Sequence, residues 1–196
     1  MSSIEKNSSL NIGSKIKDYL KLIKLSLSIM VVFSSVLAYL LVPGIEDKYE
    51  NPLKMTILLA IGGLLVTGSA NAINQAVEKN TDAMMKRTAS RPVAAGRMSV
   101  TEAWVFAILT GAIGIFILGY YFNWTSAGLA ALSLFLYAFI YTPLKKVNAV
   151  AVLVGAFPGA LPCLIGWAAG DEKLGTGGWV LFILQFLWQF PHFWAI

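Results

Sequence analysis

The sequence contains six long stretches without Asp, Glu, Lys or Arg, and this feature limits what the chain can fold into. The stretches are residues 25–42, 55–77, 103–122, 124–142, 147–169 and 179–193. An α-helix needs about 20 mainly apolar residues to cross the roughly 30 Å hydrocarbon core of a bilayer. Charged residues make up only 13% of the chain, against about 25% in average soluble domains. We therefore predict an all-α, polytopic transmembrane helical bundle with six spans.

The basic residues are distributed unevenly between the predicted loops. Of the 15 Lys and Arg residues, five precede the first span, five lie between spans two and three, and two lie between spans four and five. Cytoplasmic loops carry an excess of Lys and Arg, so the N-terminus and the loop after residue 77 are predicted to be cytoplasmic. The net charge of +5 then reflects membrane orientation, and we expect no nucleic-acid partner. Residues 1–24 contain acidic residues and no Arg, which disfavours a mitochondrial transit peptide and favours a bacterial plasma (inner) membrane.

The segment before the first span has the pattern of an amphipathic helix. Between Ser14 and Lys24 one helical face is apolar and the opposite face is basic; the apolar set is Ile16, Tyr19, Leu20 and Ile23, and the basic set is Lys17, Lys21 and Lys24. Such a helix suits the surface of an anionic leaflet, and the same pattern fits the solvated start of the first span. We predict a cytoplasmic N-terminal segment at residues 1–24 and a transmembrane domain at residues 25–196.

Polar side chains interrupt the second apolar stretch near its end. Asn74, Glu78 and Asp82 are spaced at i, i+4 and i+8, so they lie above one another on a helix, and Asn71 falls on the same side. An amide and two carboxylates offer oxygen ligands to a hard cation such as Mg²⁺, which binds through one or two carboxylates plus substrate phosphates. The alternative is a solvated helix end without a function. Acidic groups at membrane depth are costly, which favours a functional site.

Two arginines follow this group directly, Arg87 and Arg91. The guanidinium group donates two parallel hydrogen bonds to phosphate oxygens. Carboxylates, a divalent metal and arginines together predict a site for a diphosphate at the membrane surface.

The fifth stretch contains small residues and prolines within a few turns. Gly155 and Gly159 are four residues apart, with Pro158 and Pro162 beside them. Small residues at this spacing let helices approach closely, and prolines kink helices in membranes. The pattern is typical of tight helix packing, and a kink that opens a lateral cavity for a lipid-like ligand is the alternative.

The sixth stretch contains His192, which is the one histidine of the sequence. A histidine among aromatic residues is typical of interfacial packing. The functional alternatives are a ligand to haem iron, a general base and a hydrogen-bond donor to a propionate. The sequence reaches Ile196 inside this apolar pattern, without a polar cap or a basic anchor, so we expect the chain to be truncated at its C-terminal end.

Several motifs resemble those of a known family. The spacing of Asn74, Glu78 and Asp82, followed by DAMMKRTASRP at residues 82–92, resembles the first aspartate-rich motif of UbiA-type intramembrane prenyltransferases. Three further stretches are similar to the haem O synthase branch of that family. They are YTPLKK at 141–146, PGALPCLIGWAAG at 158–170 and WQFPHFW at 188–194.

The resemblance implies a bundle of nine spans, of which six are present here. It implies the transfer of a farnesyl group from farnesyl diphosphate to a vinyl group of haem B, which yields haem O, with Mg²⁺ as the cofactor. The implied partners are these two substrates, the lipid bilayer and, as candidates, haem A synthase or terminal oxidase assembly proteins.

The resemblance also implies roles for single residues. Asn74, Glu78 and Asp82 would form the first Mg²⁺–diphosphate site, and further residues would contact the substrates: Arg87, Arg91, Tyr141 and Lys145 the diphosphate, and His192 the haem. The sequence departs from the family pattern in two ways. Glu78 stands where the family usually has aspartate, and the sequence stops before the second aspartate-rich motif of the family. We therefore expect this chain to be inactive on its own.

Two other function classes fit parts of the sequence. A prenyltransferase could act on a quinone precursor or a chlorin instead of haem. A transporter or channel fragment would also combine several spans with polar residues and broken helices. The polar residues cluster at one membrane face and no internal repeat is visible in the six spans, which disfavours a transporter.

Overall fold

The computed structural model describes residues 12–145 and 150–194, with residues 192–194 as backbone only. Within these ranges all regular elements are helical. In chain order they are α1 (Ile12–Leu22), α2 (Leu25–Leu40), α3 (Ile45–Lys48), α4 (Pro52–Val77), α5 (Lys79–Met84), α6 (Val100–Tyr121), α7 (Trp124–Phe135), a π-helical segment (Leu136–Tyr141), α8 (Thr142–Leu144), α9 (Ala151–Gly170) and α10 (Thr176–Trp194).

Helices occupy all six predicted spans. Four stretches are long and apolar enough to cross a membrane: α4, α6, α9 and the continuous stretch Trp124–Leu144. α2 has 16 residues and qualifies only together with α1, from which it is bent by 50°. α10 does not qualify within the described residues, and its glutamines Gln185 and Gln189 lower its hydropathy. The prediction of an all-α, polytopic membrane bundle is confirmed, with four or five helices that meet the length and hydropathy criteria.

Side-chain caps explain where three of the helices begin. Asn51 accepts a hydrogen bond from the backbone N–H of Lys54 at 3.0 Å, with Pro52 in the first helical position of α4. Ser99 caps α6 and Asn123 caps α7 in the same way. These residues satisfy backbone donors that a helix start leaves without partners. The caps therefore set the residues at which α4, α6 and α7 begin.

α4 lies at the centre of the bundle, with α2, α6 and α7 packed along it. α9 packs against α2, α7 and α10. Glycines make the close crossings: a Cβ on Gly114 of α6 would lie 2.8 Å from the carbonyl oxygen of Gly62 on α4. A Cβ on Gly166 of α9 would overlap the carbonyl oxygen of Ser35 on α2. Small residues thus set the distances between the central helices.

The fifth predicted span is one helix, α9, which runs through Pro158 and Pro162. Gly155 faces the ring of Tyr141, and Gly159 faces the side-chain amide of Gln189. Both contacts are of the close kind that the tight-packing interpretation predicts.

The N-terminal helix is tied to the first turn of α6 and to the loop before it. Asp18 is buried and accepts a hydrogen bond from Nε of Arg97 at 3.0 Å, while Lys15 and Tyr19 bind the carboxylate of Glu102. The prediction that Lys24 lies on the basic face of this helix is wrong, because the helix ends at Leu22 and the side chain of Lys24 points inward. That α1 lies on a membrane surface stays a prediction.

The crossing of α2 and α9 gives a test of the packing. We expect Gly166→Ala to lower the free energy of unfolding by about 1–3 kcal/mol, because its Cβ collides with a backbone carbonyl that cannot rotate away. Gly128→Ala on α7, where a Cβ would meet nothing within 4 Å, is the matched control. Thermal unfolding in detergent measures both variants, and equal stability of the two would contradict the packing.

Candidate functional site

The polar group predicted from the sequence lies where α4 ends. Glu78 closes α4 and precedes α5. Its backbone N–H donates to the carbonyl of Asn74 at 3.0 Å, and the N–H of Asp82 donates to the carbonyl of Glu78 at 2.8 Å. The helical hydrogen bonds therefore continue across the junction. Asn74, Glu78 and Asp82 are stacked as predicted, with exposed fractions of 1%, 5% and 1%.

Glu78 is paired on two sides. It accepts a hydrogen bond from Nδ2 of Asn74 at 2.8 Å and forms an ion pair with Nζ of Lys145 at 2.8 Å. Lys145 follows the helical stretch that ends at Leu144, and the π-helical segment lies one turn before it. π-helical turns are rare and occur often at functional sites. This segment also places Tyr141 beside the cluster, with the ammonium group of Lys145 5.6 Å from the ring centroid.

Asp82 is held by Arg91 alone among the described cations. Nη1 of Arg91 lies 2.8 Å and 2.7 Å from the two carboxylate oxygens. The hydroxyl of Thr88 donates to the backbone carbonyl of Asp82 at 2.9 Å. This bond turns the chain back after α5, so that Arg91 returns to the carboxylate nine residues before it.

A third cation at the site was missed by the sequence analysis. Nζ of Lys24 donates to Oδ1 of Asn74 at 3.3 Å. Lys24 lies in the turn between α1 and α2. In the sequence Lys24 directly precedes an apolar stretch. This position is equally typical of a lysine on the surface.

Two predicted residues do not join the cluster, and the side chain of a third is outside the described part of the chain. Arg87 is exposed and makes no hydrogen bond or ion pair with another described residue. The amide of Asn71 donates to the carbonyl of Ile23 and to the hydroxyl of Ser28, away from the carboxylates. The side chain of His192 lies outside the described residues. Five of the predicted residues therefore lie in one cluster: Asn74, Glu78, Asp82, Arg91 and Lys145. Tyr141 lies beside this cluster.

A cavity of about 560 Å³ adjoins the cluster. Its polar lining comes from Lys21, Lys24, Arg91 and two serines, and its apolar lining from leucines at the start of α2 and the end of α1. Lys24 and Arg91 therefore belong both to the cavity and to the carboxylate cluster.

The donor set fits a hard cation in part. Two carboxylates and an amide oxygen are suitable ligands for Mg²⁺, which takes its remaining ligands from water and phosphate. Within the part of the chain that the structure describes, no three His, Cys, Asp or Glu residues form a metal cluster by themselves. Each of the three predicted ligands is already bonded to a cation. The residues fit a metal that binds together with an anionic ligand better than a metal held by the protein alone.

Comparison with known families decides the classification. The model of the UbiA prenyltransferase family matches residues 27–196, which include every residue of the cluster except Lys24. The chain belongs to the UbiA prenyltransferase family.

Curated relatives within the UbiA family carry more specific names. The chain is 48% identical over 187 residues to a protoheme IX farnesyltransferase of Flavobacterium johnsoniae, covering 95% of this chain and 61% of that protein. It is 40% identical over 178 residues to the mitochondrial protoheme IX farnesyltransferase of Saccharomyces cerevisiae, covering 91% of this chain and 37% of that protein. The chain therefore spans about three fifths of the bacterial relative.

Two solved structures share the fold. One was determined in work on digeranylgeranylglyceryl phosphate synthase and has a TM-score of 0.75 at 21% identity, over 89% of this chain and 59% of that one. The other is a UbiA homologue of Archaeoglobus fulgidus bound to GPP and Mg²⁺, with a TM-score of 0.70 at 17% identity, over 89% of this chain and 62% of that one. At these identities the likeness concerns the fold alone.

The ion pair of Arg91 and Asp82 gives a second test. Removing one partner of a buried pair costs about 3–5 kcal/mol, because it leaves an uncompensated charge. We expect Arg91→Met to destabilise the metal-free protein by about 3 kcal/mol, and Arg91→Met with Asp82→Asn to recover much of this loss. Arg87→Met, at the exposed arginine of the same loop, should change stability little. Thermal unfolding measures all three, and equal effects of the two single variants would contradict the pairing.

Proposed function

We propose that the chain supplies a metal–diphosphate site to an enzyme that transfers a farnesyl group from farnesyl diphosphate to a vinyl group of haem B, which yields haem O. The observation that carries the proposal is the buried group of Asn74, Glu78 and Asp82, which cations from three separate segments surround. A solvated helix end would leave these carboxylates exposed. The names of the curated relatives support the choice of substrates.

The residues of the cluster have two groups of roles in this proposal. Asn74, Glu78 and Asp82 hold Mg²⁺ through oxygen atoms, and the metal offsets negative charge on the diphosphate as the allylic C–O bond breaks. Glu78 is one methylene longer than the aspartate usual in the family, so its carboxylate reaches further from the backbone. Arg91 and Lys145 bind diphosphate oxygens and stabilise the leaving group. Tyr141 lies beside Lys145 and contributes to the same wall.

The lining of the open cavity next to the cluster suits such a substrate. Its cations suit a phosphate group, and its leucines suit the first part of an apolar chain. The farnesyl group must lose its diphosphate where water is excluded, so that the haem vinyl group attacks it before water does. The apolar spans provide this shielding. Both substrates are apolar enough to enter the bundle from the lipid. The new C–C bond leaves a positive charge on the second vinyl carbon, which a water molecule then attacks, with loss of a proton, to give a hydroxyl group.

Several finer assignments belong to the same proposal. We assign Arg87 to the outer contacts of the diphosphate, since it lies in the loop that carries Arg91, and His192 to the haem side. The excess of basic residues before span one and after α4 supports a cytoplasmic N-terminus in a bacterial plasma membrane. The solved homologue bound to GPP and Mg²⁺ supports a divalent metal. Haem A synthase and terminal oxidase assembly proteins remain predicted partners.

Asp82→Asn tests the metal assignment. The substitution keeps the size of the side chain and removes its charge, so we expect farnesyl transfer with Mg²⁺ to fall by about a hundredfold or more. Because the chain spans 61% of the Flavobacterium johnsoniae protein, the assay uses a chimaera in which this chain replaces the matching region of that relative. Glu46→Gln, at an exposed carboxylate of α3, is the control. Transfer by Asp82→Asn at nearly the unsubstituted rate would show that Asp82 holds no metal.

The acceptor is tested with the same chimaera. Farnesyl diphosphate is supplied with haem B and an aromatic acid together, and the loss of each acceptor is measured by mass spectrometry. We expect haem B to be consumed and to gain one farnesyl group and one hydroxyl group. Consumption of the aromatic acid alone would support the alternative prenyltransferase with a quinone precursor as acceptor.

A further inference from the structure

Lys24 occupies an unusual backbone position. Its φ is 48° and its ψ is 59°, in the left-handed region, and it is the one non-glycine residue with positive φ among the described residues. This conformation is unfavourable for L-residues with a Cβ. It persists only where the surroundings fix it, and such positions concentrate at functional sites.

Two amides of α4 fix the turn that contains Lys24. Nε2 of Gln75 donates to the carbonyl oxygens of Lys21 and Leu22 at 3.0 Å and 2.9 Å. Nδ2 of Asn71 donates to the carbonyl of Ile23 at 3.1 Å. These carbonyls lie at the end of α1, where a helix leaves its last oxygen atoms without partners. The break between α1 and α2 is thus built by α4, one turn before the carboxylate cluster.

The break directs the ammonium group of Lys24 into the cluster. It donates to Oδ1 of Asn74, which is the oxygen that the amide would offer to a metal. Lys24, Arg91 and Lys145 together outnumber the two carboxylates, so the described cluster has a net positive charge without a ligand. A divalent cation alone is repelled by this charge, whereas a diphosphate is attracted.

On the basis of the function proposed above, we propose that Lys24 is a further diphosphate contact, which is held on Asn74 until the diphosphate binds. When the diphosphate enters, the ammonium group moves to its oxygens and frees Oδ1 of Asn74. The metal and the diphosphate therefore bind together, and the metal binds weakly before the diphosphate is present. Asn71 and Gln75 are positioning residues in this arrangement, because they act through the direction of Lys24.

The test measures the affinities for a divalent cation and for a diphosphate analogue. The proposal predicts that loss of the Lys24 charge changes these two affinities in opposite directions. The chimaera described above is placed in bilayer nanodiscs, and Mn²⁺ binding is followed by electron paramagnetic resonance with and without an unreactive farnesyl diphosphate analogue. We expect Lys24→Met to weaken binding of the analogue about tenfold, the loss of one charge-assisted contact. We expect it to strengthen Mn²⁺ binding without the analogue about threefold, because a repelling charge is removed and Oδ1 of Asn74 is freed.

Three variants separate this role from a structural one. Lys24→Asn is neutral and suits the left-handed backbone better than other residues, so it should show the same opposite shifts as Lys24→Met even if methionine disturbs folding. Lys24→Arg keeps the charge and should restore part of the analogue binding. Lys17→Met, at an exposed lysine of α1 that bonds to no other described residue, should bind both ligands like the unsubstituted chimaera.

Several results would overturn the proposal. Equal weakening of Mn²⁺ and analogue binding in both neutral variants would show that Lys24 only supports the fold. An equal loss in Lys17→Met would show a general effect of surface charge. If the unsubstituted chimaera binds no analogue in the presence of Mn²⁺, the proposed function itself fails, whereas normal binding with no effect of Lys24→Met contradicts only the role of Lys24.

Discussion

The structure depends on the burial of two carboxylates at the end of its central helix. Glu78 and Asp82 are 5% and 1% exposed, and a buried charge is strongly destabilising unless it is paired. The cations that pair them and the neighbouring amide come from three places in the chain: the turn before α2, the loop after α5 and the residue after α8. The requirement that the carboxylates be paired therefore fixes two connections that lie far apart in the sequence, the loop that carries Arg91 and the residue Lys145.

The same requirement links the stability of the bundle to its ligand. The side chains that neutralise the carboxylates in the free protein, above all Arg91 and Lys145, have the chemistry that a diphosphate needs. The carboxylates have the chemistry that a divalent cation needs. A metal–diphosphate complex can pair with both groups at once: the metal replaces the cations beside the carboxylates, and the diphosphate replaces the carboxylates beside the cations. The glycine contacts between α4 and α6 and between α2 and α9 provide the rigid frame in which this exchange would take place.

The sequence predicted those parts of the site that local geometry determines. Helical periodicity is enough to stack Asn74, Glu78 and Asp82, and it predicted their cluster correctly. Arg91 is close in the sequence, but whether Arg91 or Arg87 returns to Asp82 depends on the turn that Thr88 closes. Lys145 was reached only through the family resemblance, because it lies 67 residues from Glu78.

Lys24 was misplaced for a different physical reason. The amphipathic pattern continues to Lys24, so a local interpretation keeps the helix intact and turns the lysine outward. The amides of Asn71 and Gln75, about 50 residues away, end the helix earlier and reverse that direction. The spans show the same division: apolar length predicted where the helices lie, whereas the bend between α1 and α2 follows from long-range hydrogen bonds.

The most direct test of this account is an experimental structure of the protein with Mg²⁺ and an unreactive farnesyl diphosphate analogue in a bilayer. The account predicts carboxylate oxygens of Glu78 and Asp82 at about 2.0–2.1 Å from the metal, with Arg91 and Lys145 on phosphate oxygens. A structure in which the Arg91–Asp82 and Lys145–Glu78 pairs remain intact while the analogue binds elsewhere would contradict it.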